Sequence, residues 1–485
     1  MKRALGALCV GVSAASGTGC SIVVDIPAEC VESIDCPQVG ADCREGLCTR
    51  VREFVQVTDP LRGNQRWTSE RDYLLEETVF LESGVLTIEA GTRVFGARPQ
   101  AALVVVPGAA LVVNGTADAP VVFTSIRPPG SRSPGDWGGI ALLGDDFINA
   151  PGGVDDLEGL PPEARTRYGG SASDPSRGCG TLQYLRIEFA GFRLFANQEL
   201  NGLTLAGCGP ETLVDFVQVH RGADDGIELF GGRAKIRHAV VTQPADDGLD
   251  WDQGWRGLAQ FVIVQQRNSD KNGIEADNSE TDASALPRSS PRVYNLTVVA
   301  DNAPQTRSVG ATLRRGTAGE IVNAVFVGHR GGSVQIVDRE TQACALATDG
   351  EGPGCSQASG SFTGLDVRAS VFVDGGADGD SHFPTEFDFD PENENTLEGF
   401  VLEEWIERAE RRTETLPRGE AVLVDPLGRT SPNFAPRAGG PLAELSDLAE
   451  SPPLDEEFDS TARFLGAIRS EAEDWTRGWT AFPVD

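Results

Sequence analysis

The chain has 485 residues and a formal net charge of −32, from 41 basic and 73 acidic side chains. That excess repels a polyanion, which excludes nucleic acid as a partner, and it attracts cations. The 57 Gly and 29 Pro beside only 4 Tyr suit many turns between short strands.

In chain order, Lys2-Arg3, an apolar stretch from Ala4 to Ala15 and Gly17-Thr18-Gly19-Cys20 have the pattern of a bacterial lipoprotein signal. Residues 1–19 are expected to be removed and Cys20 to be acylated, with Ser21 fitting sorting to the outer membrane. Gly17 stands where Leu is usual, and ordinary export with cleavage nearby is the alternative. No other stretch approaches 18 consecutive apolar residues, so the only membrane attachment expected is this lipid anchor. Removing Lys2 and Arg3 takes the charge from −32 to −34.

Apart from Cys9 and Cys20, eight cysteines remain: Cys30, Cys36, Cys43, Cys48, Cys179, Cys208, Cys344 and Cys355. An even number in an exported chain points to disulfides. The first four crowd together without a CxxC pair, so residues 20–50 read as a disulfide-stapled tether, with three connectivities open. Cys344 with Cys355 closes a loop, and Cys179 with Cys208 ties down an insertion.

From residue 51 the chain enters a repetitive region through Leu86-Thr87-Ile88-Glu89-Ala90-Gly91-Thr92 and Leu103-Val104-Val105-Val106, where a capping element is expected. One phrase then recurs: Asn201-Gly202-Leu203-Thr204-Leu205, Asp225-Gly226-Ile227-Glu228-Leu229, Asp247-Gly248-Leu249-Asp250-Trp251 and Asn272-Gly273-Ile274-Glu275-Ala276. Its glycines are 24, 22 and 25 residues apart (226 − 202, 248 − 226, 273 − 248). That period is too short for a helical pair and fits one coil of a β-solenoid. Between the phrases lie β-rich runs such as Phe216-Val217-Gln218-Val219, Ala239-Val240-Val241 and Phe261-Val262-Ile263-Val264. The phrase echoes at Gly139-Ile140-Ala141-Leu142 and Gly310-Ala311-Thr312-Leu313. The fold expected over residues 51–375 is an all-β, right-handed parallel β-helix.

Side chains alternate along a strand, so Leu203/Leu205, Ile227/Leu229, Leu249/Trp251 and Ile274/Ala276 point inward and Thr204, Glu228, Asp250 and Glu275 outward. Asp252 and Asp277 take the next outward position, while Asp225, Asp247 and Asn272 precede the glycines. Coils stack about 4.8 Å apart. At about 5 Å and an effective dielectric near 20, each adjacent pair in the column Glu228–Asp250–Glu275 repels by roughly 3 kcal/mol. A bridging cation relieves that cost, and calcium accepts six to eight oxygen ligands in loose geometry. The candidate metal ligands are therefore Asp225, Glu228, Asp247, Asp250, Asp252, Asn272, Glu275 and Asp277. The alternatives are a solvated acidic face softened by Arg233, Arg256 and Lys271, or a catalytic carboxylate pair. His220 and His238 precede the acidic turns and read as structural.

Two insertions interrupt the period, at about 145–180 and 279–292, and long loops on one side of a solenoid border its binding face. Strands resume at Asn295–Val299, Asn323–Val327 and Ala369–Val373. Residues 376–485 read as a cap and fold-back tail, with an amphipathic helix expected over Thr396–Arg411 and a Trp475/Trp479 pair anchoring the end.

Several phrases, Gly135-Asp136-Trp137-Gly138-Gly139, Tyr184-Leu185-Arg186-Ile187-Glu188-Phe189-Ala190-Gly191, Glu199 to Leu205, Asp224 to Gly232 and the Trp475–Trp479 tail, resemble exported bacterial β-helix proteins of the pectate-lyase-like superfamily. The likeness covers roughly residues 60–330 and the tail. It implies the solenoid and export. Its enzymes imply two mechanisms: a calcium-dependent polysaccharide lyase with an Arg or Lys base, or a glycoside hydrolase with clustered carboxylates. Lys271, Arg233 or Arg256 would supply the base, and Asp246, Asp247 and Asp250 the carboxylates. However, no Gly-His-Gly or Arg-Ile-Lys partner motif is present, and no catalytic residue is assigned. Two function classes follow. One is a non-enzymatic surface lipoprotein that binds calcium and engages a polysaccharide or surface protein. The other is a carbohydrate-active enzyme.

Overall fold

The computed structural model describes residues 30, 33–36, 41–44, 46–170, 177–195, 198–269, 271–350, 355, 364–376, 381–384, 396–454 and 457–485. The signal segment 1–19 and Cys20 lie outside them. The chain divides into two compact units, 1–52 and 53–485. In the first, strands Ala41–Arg44 and Leu47–Val51 form an antiparallel pair. Disulfides Cys30–Cys43 and Cys36–Cys48 staple it, one of the three connectivities the sequence left open. Among its described residues the buried apolar cluster is Cys30, Cys36 and Ala41, so the crosslinks contribute much of that packing.

The second unit is a parallel β-helix. Nine strands stack into one sheet in chain order: β1 (Val79–Leu81), β2 (Ala102–Val105), β3 (Gly139–Leu143), β4 (Leu203–Ala206), β5 (Ile227–Phe230), β6 (Leu249–Asp252), β7 (Ile274–Ala276), β8 (Val309–Leu313) and β9 (Gly332–Ile336). Both echoes of the repeated phrase are strands of this sheet, β3 and β8. The register is the one the repeat demands: Leu203, Ile227, Leu249 and Ile274 align, as do Leu205, Leu229, Trp251 and Ala276. These two rows are buried in one interior core that runs the length of the solenoid. At its start the rings of Trp67 and Tyr73 stack at 4.6 Å.

The repeat's glycine is there because the interior has no room for a Cβ. At Gly226, Gly248 and Gly273 that atom would lie 2.2 Å from a Cγ1 of Val241, Val264 and Val298, on the strand that follows, and at Gly202 it would lie 2.4 Å from Val219. Each coil thus closes by packing a bare backbone against its own valine.

The rest of each coil is one long bent strand: Gly180–Glu188, Leu213–His220, Lys235–Thr242, Leu258–Gln266 and Arg292–Ala300. The bend falls at Tyr184, Phe216, His238, Phe261 and Asn295, all at positive φ between 38 and 60°. Four of the strands read from sequence begin just at or after this pivot, so their short first legs escaped notice. A left-handed non-glycine residue costs about 1–2 kcal/mol. Here the pivot rings stack coil on coil at 4.4, 4.2 and 4.8 Å, each pair contributing about 0.5–1.5 kcal/mol beyond its burial. His238 is one of these rings and is held by Asp215 at 2.8 Å, while His220 bonds Thr242 and the Pro483 carbonyl.

The C-terminal segment lies over the outer face of the bent strands. Leu423, Phe434, Leu465, Ile468 and Trp479 pack on Val240, Ile263, Val299, Val325 and Val371. Outward Gln218, Gln260, Asn295 and Asn323 hydrogen-bond the covering backbone at Ala481, Asp459, Phe464 and Glu450. Trp475 and Trp479 stand edge-on to the ring stack. Part of the nine-stranded sheet is packed over by the first insertion instead.

The helix expected over Thr396–Arg411 is shorter. α2 spans Leu402–Ile406, followed by a single 3-10 turn at Ala409–Arg411. It joins a helix the sequence reading missed, α1 (Arg339–Thr348), whose Asp338 cap accepts the backbone N–H groups of Glu340 and Thr341. Trp405 Nε1 donates to the Ala345 carbonyl, and Cys344, Ala345, Leu402, Trp405 and Ile406 join the core, so two helices rather than one close its end. Disulfides Cys179–Cys208 and Cys344–Cys355 tie the chain at two further points. No helix among the described residues is long and apolar enough to cross a membrane.

Gly248→Ala should lower stability by about 1–3 kcal/mol, the usual cost of overpacking a filled core, as measured by urea denaturation. An unchanged midpoint would show that the glycine and valine do not close the coil.

Candidate metal centre

The outward face of the nine-stranded sheet aligns Thr204, Glu228, Asp250, Glu275 and Thr312, one residue per coil. Three carboxylates therefore stand between two threonines. At the turn entering each strand a second column is knitted by side chain to backbone. Asn201 Oδ1 accepts the Asp225 N–H at 3.1 Å, Asp225 Oδ1 accepts the Asp247 N–H at 2.7 Å, and Asp247 Oδ1 accepts the Asn272 N–H. Asn201, Asp225 and Asp247 thus hold the coils in register, each through its Oδ1.

The columns converge. Ligand oxygens lie within 4.8 Å of one another in three groups: Asp225–Glu228–Asp250, Asp225–Asp246–Asp247 and Asp247–Asp250–Glu275. Asp250 belongs to two of them. Its Oδ1 is shut off from solvent and has no hydrogen-bond partner. Asn272 donates to Glu275 Oε2 at 3.0 Å, and Thr312 donates to Asn272 at 2.7 Å, closing the lower end.

Asp252 and Asp277 form the next outward row but join none of these groups. Asp277 is bound by Arg314 Nε and Arg315 Nη1, both at 2.8 Å, and Asp252 accepts the N–H of Gln253. These two proposed ligands are drawn off by partners the sequence reading did not weigh. Arg314 also pairs with Glu275. The echo at Gly310–Leu313 could have found it, since Leu313 aligns with Ala276 and so sets Arg314 beside Asp277. Of the three bases expected to soften the face, Lys271 reaches Asp246 at 2.9 Å. Arg233 instead pairs with Asp146 of the first insertion at 2.8 Å, and Arg256 bonds the Gly254 carbonyl.

The first insertion supplies an acid that no repeat signals. Glu158 stands near Glu228, whose carboxyl its charge pushes up, and lies outside the three oxygen groups. Around it, Ile148, Leu157 and Tyr168 pack on Leu200, Ala206 and Phe230, covering the neighbouring part of the sheet. Tyr168 and Asp155 both bind Gln253, at 3.0 and 2.9 Å.

Crowding and burial hold the acids protonated far above their usual range. Burial is the main cause at Asp225, Glu228, Asp247 and Asp250, followed by neighbouring carboxylates, and all four are raised well above an ordinary carboxylate. Burial pushes Glu158 and Asp252 up to about 7. At Glu275 burial also raises the value, with Arg314 opposing. The donor set is all oxygen, with no His or Cys in these groups. It suits a hard divalent cation rather than zinc.

Residues 61–353, more than half of the chain, match the family model described as the pectate-lyase like beta helix domain. Comparison with curated proteins and with solved structures finds no match.

A carboxyl whose folded pKa is raised contributes its stability at low pH and loses it as pH rises from the unfolded value toward the folded one. The metal-free protein should therefore melt at progressively lower temperature as pH rises from 5 to 8, the Glu158 and Asp252 contributions fading toward about 7. Calorimetry in the presence of a chelator tests this. A flat or rising profile would contradict the crowding described above.

Proposed function

Since the chain belongs to the family of pectate-lyase-like β-helix domains, we propose that it is a non-enzymatic, exported surface lipoprotein whose acidic face binds calcium and engages a glycan or a partner protein. The observation that carries the calcium reading is Asp250. It stands between Glu228 and Glu275 in register, with a buried oxygen that no donor reaches. A cation among Asp225, Glu228 and Asp250, or among Asp247, Asp250 and Glu275, would satisfy that oxygen and cancel the repulsion along the column. Loose geometry and mixed carboxylate, amide and water ligands favour calcium over magnesium, which demands a near-ideal octahedron.

The non-enzymatic part rests on the bases. A lyase needs a neutral or weakly held base beside the metal. Burial acts to lower the Lys271 pKa, but its hydrogen bond to Asp246 and the surrounding acids outweigh that and raise it. Arg314 is likewise held charged by Asp277 and Glu275 against its own burial. A second reading, calcium-dependent lyase, keeps one contact in its favour: Lys271 borders the Asp225–Asp246–Asp247 group. Release of unsaturated product from polygalacturonate, followed by ultraviolet absorbance, would favour that reading.

Calcium at about 100 times its dissociation constant should stabilise the protein by about 2.7 kcal/mol, seen as a rise in melting temperature that magnesium does not reproduce. Asp250→Asn should raise the melting temperature of the metal-free protein, since it removes two repulsive neighbours, and weaken the calcium response. A calcium response unchanged by that substitution would place the metal elsewhere. For the anchor, radiolabelled fatty acid should enter the wild type and not Cys20→Ala. Equal labelling of the two would refute attachment at Cys20.

A further inference from the structure

The C-terminal segment is held by two kinds of anchor. As far as Trp479 the anchors are buried apolar side chains, with Leu465, Ile468 and Trp479 packed on the bent strands. Beyond Trp479 no apolar residue is fully buried, and Phe482 packs only in part. There polar contacts at every second residue take over. Gln218 donates to the Ala481 carbonyl at 2.7 Å and accepts the Ala481 N–H at 2.9 Å. His220 Nε2 meets the Pro483 carbonyl at 3.0 Å, and Arg221 Nη1 donates to the backbone oxygen of Asp485 at 2.6 Å. A carbonyl only accepts, so Nε2 carries the His220 proton and Nδ1 accepts from the Thr242 hydroxyl.

The Asp485 carboxylate is enclosed. Its Oδ1 accepts the Gly130 N–H at 3.0 Å, and its Oδ2 pairs with Arg132 Nε. The two side chains are 8 % and 2 % exposed, which makes this a buried pair rather than a surface one. Arg132 and Arg221 come from turns two coils apart, the first before β3 and the second before β5. Both guanidinium groups lie over the ring of Phe189 from the coil between, at 5.0 and 5.8 Å. Arg186, which pairs with Glu188 at 3.2 Å, adds a third positive charge. Its effect is felt at His220, whose pKa burial lowers to about 4, with Arg221, Arg132 and Arg186 adding to the fall. In a chain of net charge −32 this is a locally basic pocket, and the tail seats an acid in it.

We infer that Gly130, Arg132 and Arg221 form a carboxylate-binding pocket whose built-in ligand is Asp485, so that residues 480–485 are an ionic latch across the turns before β3 and β5. Closed, the latch covers Gln218, His220 and Arg132; open, it leaves them to solvent. Because the apolar anchors end at Trp479, the latch opens locally, without unfolding the coils beneath it.

The test uses the full chain purified in detergent and follows hydrogen–deuterium exchange at the Ala481 and Gly130 amides. Asp485→Asn keeps the shape and removes the charge. It should speed exchange at both amides at least ~10-fold, the effect of losing a hydrogen bond to a charged group. Asp485→Glu, which keeps the carboxylate, should retain most of the protection, and Val484→Ala, at an exposed side chain, all of it. The melting temperature and the exchange of the Leu213–His220 strand should be the same in all four proteins. Wild-type protection in Asp485→Asn would overturn the inference, since shape and not charge would then hold the tail. Equal loss in Asp485→Asn and Asp485→Glu would overturn it too, because the pocket would not be reading a carboxylate. A fall in melting temperature with matching exchange in that strand would make the tail part of the core and not a latch.

Discussion

Everything in this molecule follows from one constraint: each residue meets its counterpart on the next coil at strand spacing. The coils are locked in that register by three devices. Glycines pack on valines inside, rings stack at the bend, and a ladder of Asn and Asp side chains caps the backbone of the next coil at the turn. Register in a parallel stack cannot slip by one residue without turning the core outward. The stack therefore places like against like. For leucine, valine and phenylalanine that is favourable. For carboxylates it is the reverse, and Glu228, Asp250 and Glu275 are held in contact by the stability of everything around them.

The two outer faces are finished differently, and the difference determines where a ligand can act. The bent strands are covered by the C-terminal segment, whose backbone satisfies outward glutamines and asparagines and whose tryptophans close over the ring stack. The nine-stranded sheet is covered in part by the first insertion, which packs on its apolar coils. Local charge balance sharpens the contrast. Arg314 and Lys271 neutralise the lower and turn-side edges of the cluster, leaving its centre to protons or a cation. A chain of net charge −32 makes that centre more electronegative still.

Burial, with neighbouring carboxylates, pushes Glu158 and Glu228 up, and a divalent ion would compete with protons for the same oxygens. The cover's own packing, through Leu157 and Tyr168, holds it against the sheet.

Sequence by itself determined whatever the repeat encodes. Within the repeated phrases a coil meets the next at a separation of 22 to 25 residues (248 − 226, 273 − 248), so its interior rows, its acidic column and the glycine that closes it all recur as a phrase. The crowded cysteines likewise announce a stapled N-terminal unit, because short spacing restricts their partners. Tertiary structure alone decided what crosses the repeat. Glu158 reaches Glu228 across 70 residues (228 − 158) from an insertion with no period, and α1 joins α2 through Trp405 and Ala345. Asp277 and Asp252 looked equivalent to the other acids in the phrase, yet Arg314, Arg315 and the Gln253 backbone remove them from the cluster. The reason is physical: periodic spacing specifies neighbours along the stack, whereas contacts made sideways by loops depend on where the packed chain happens to bring each charge.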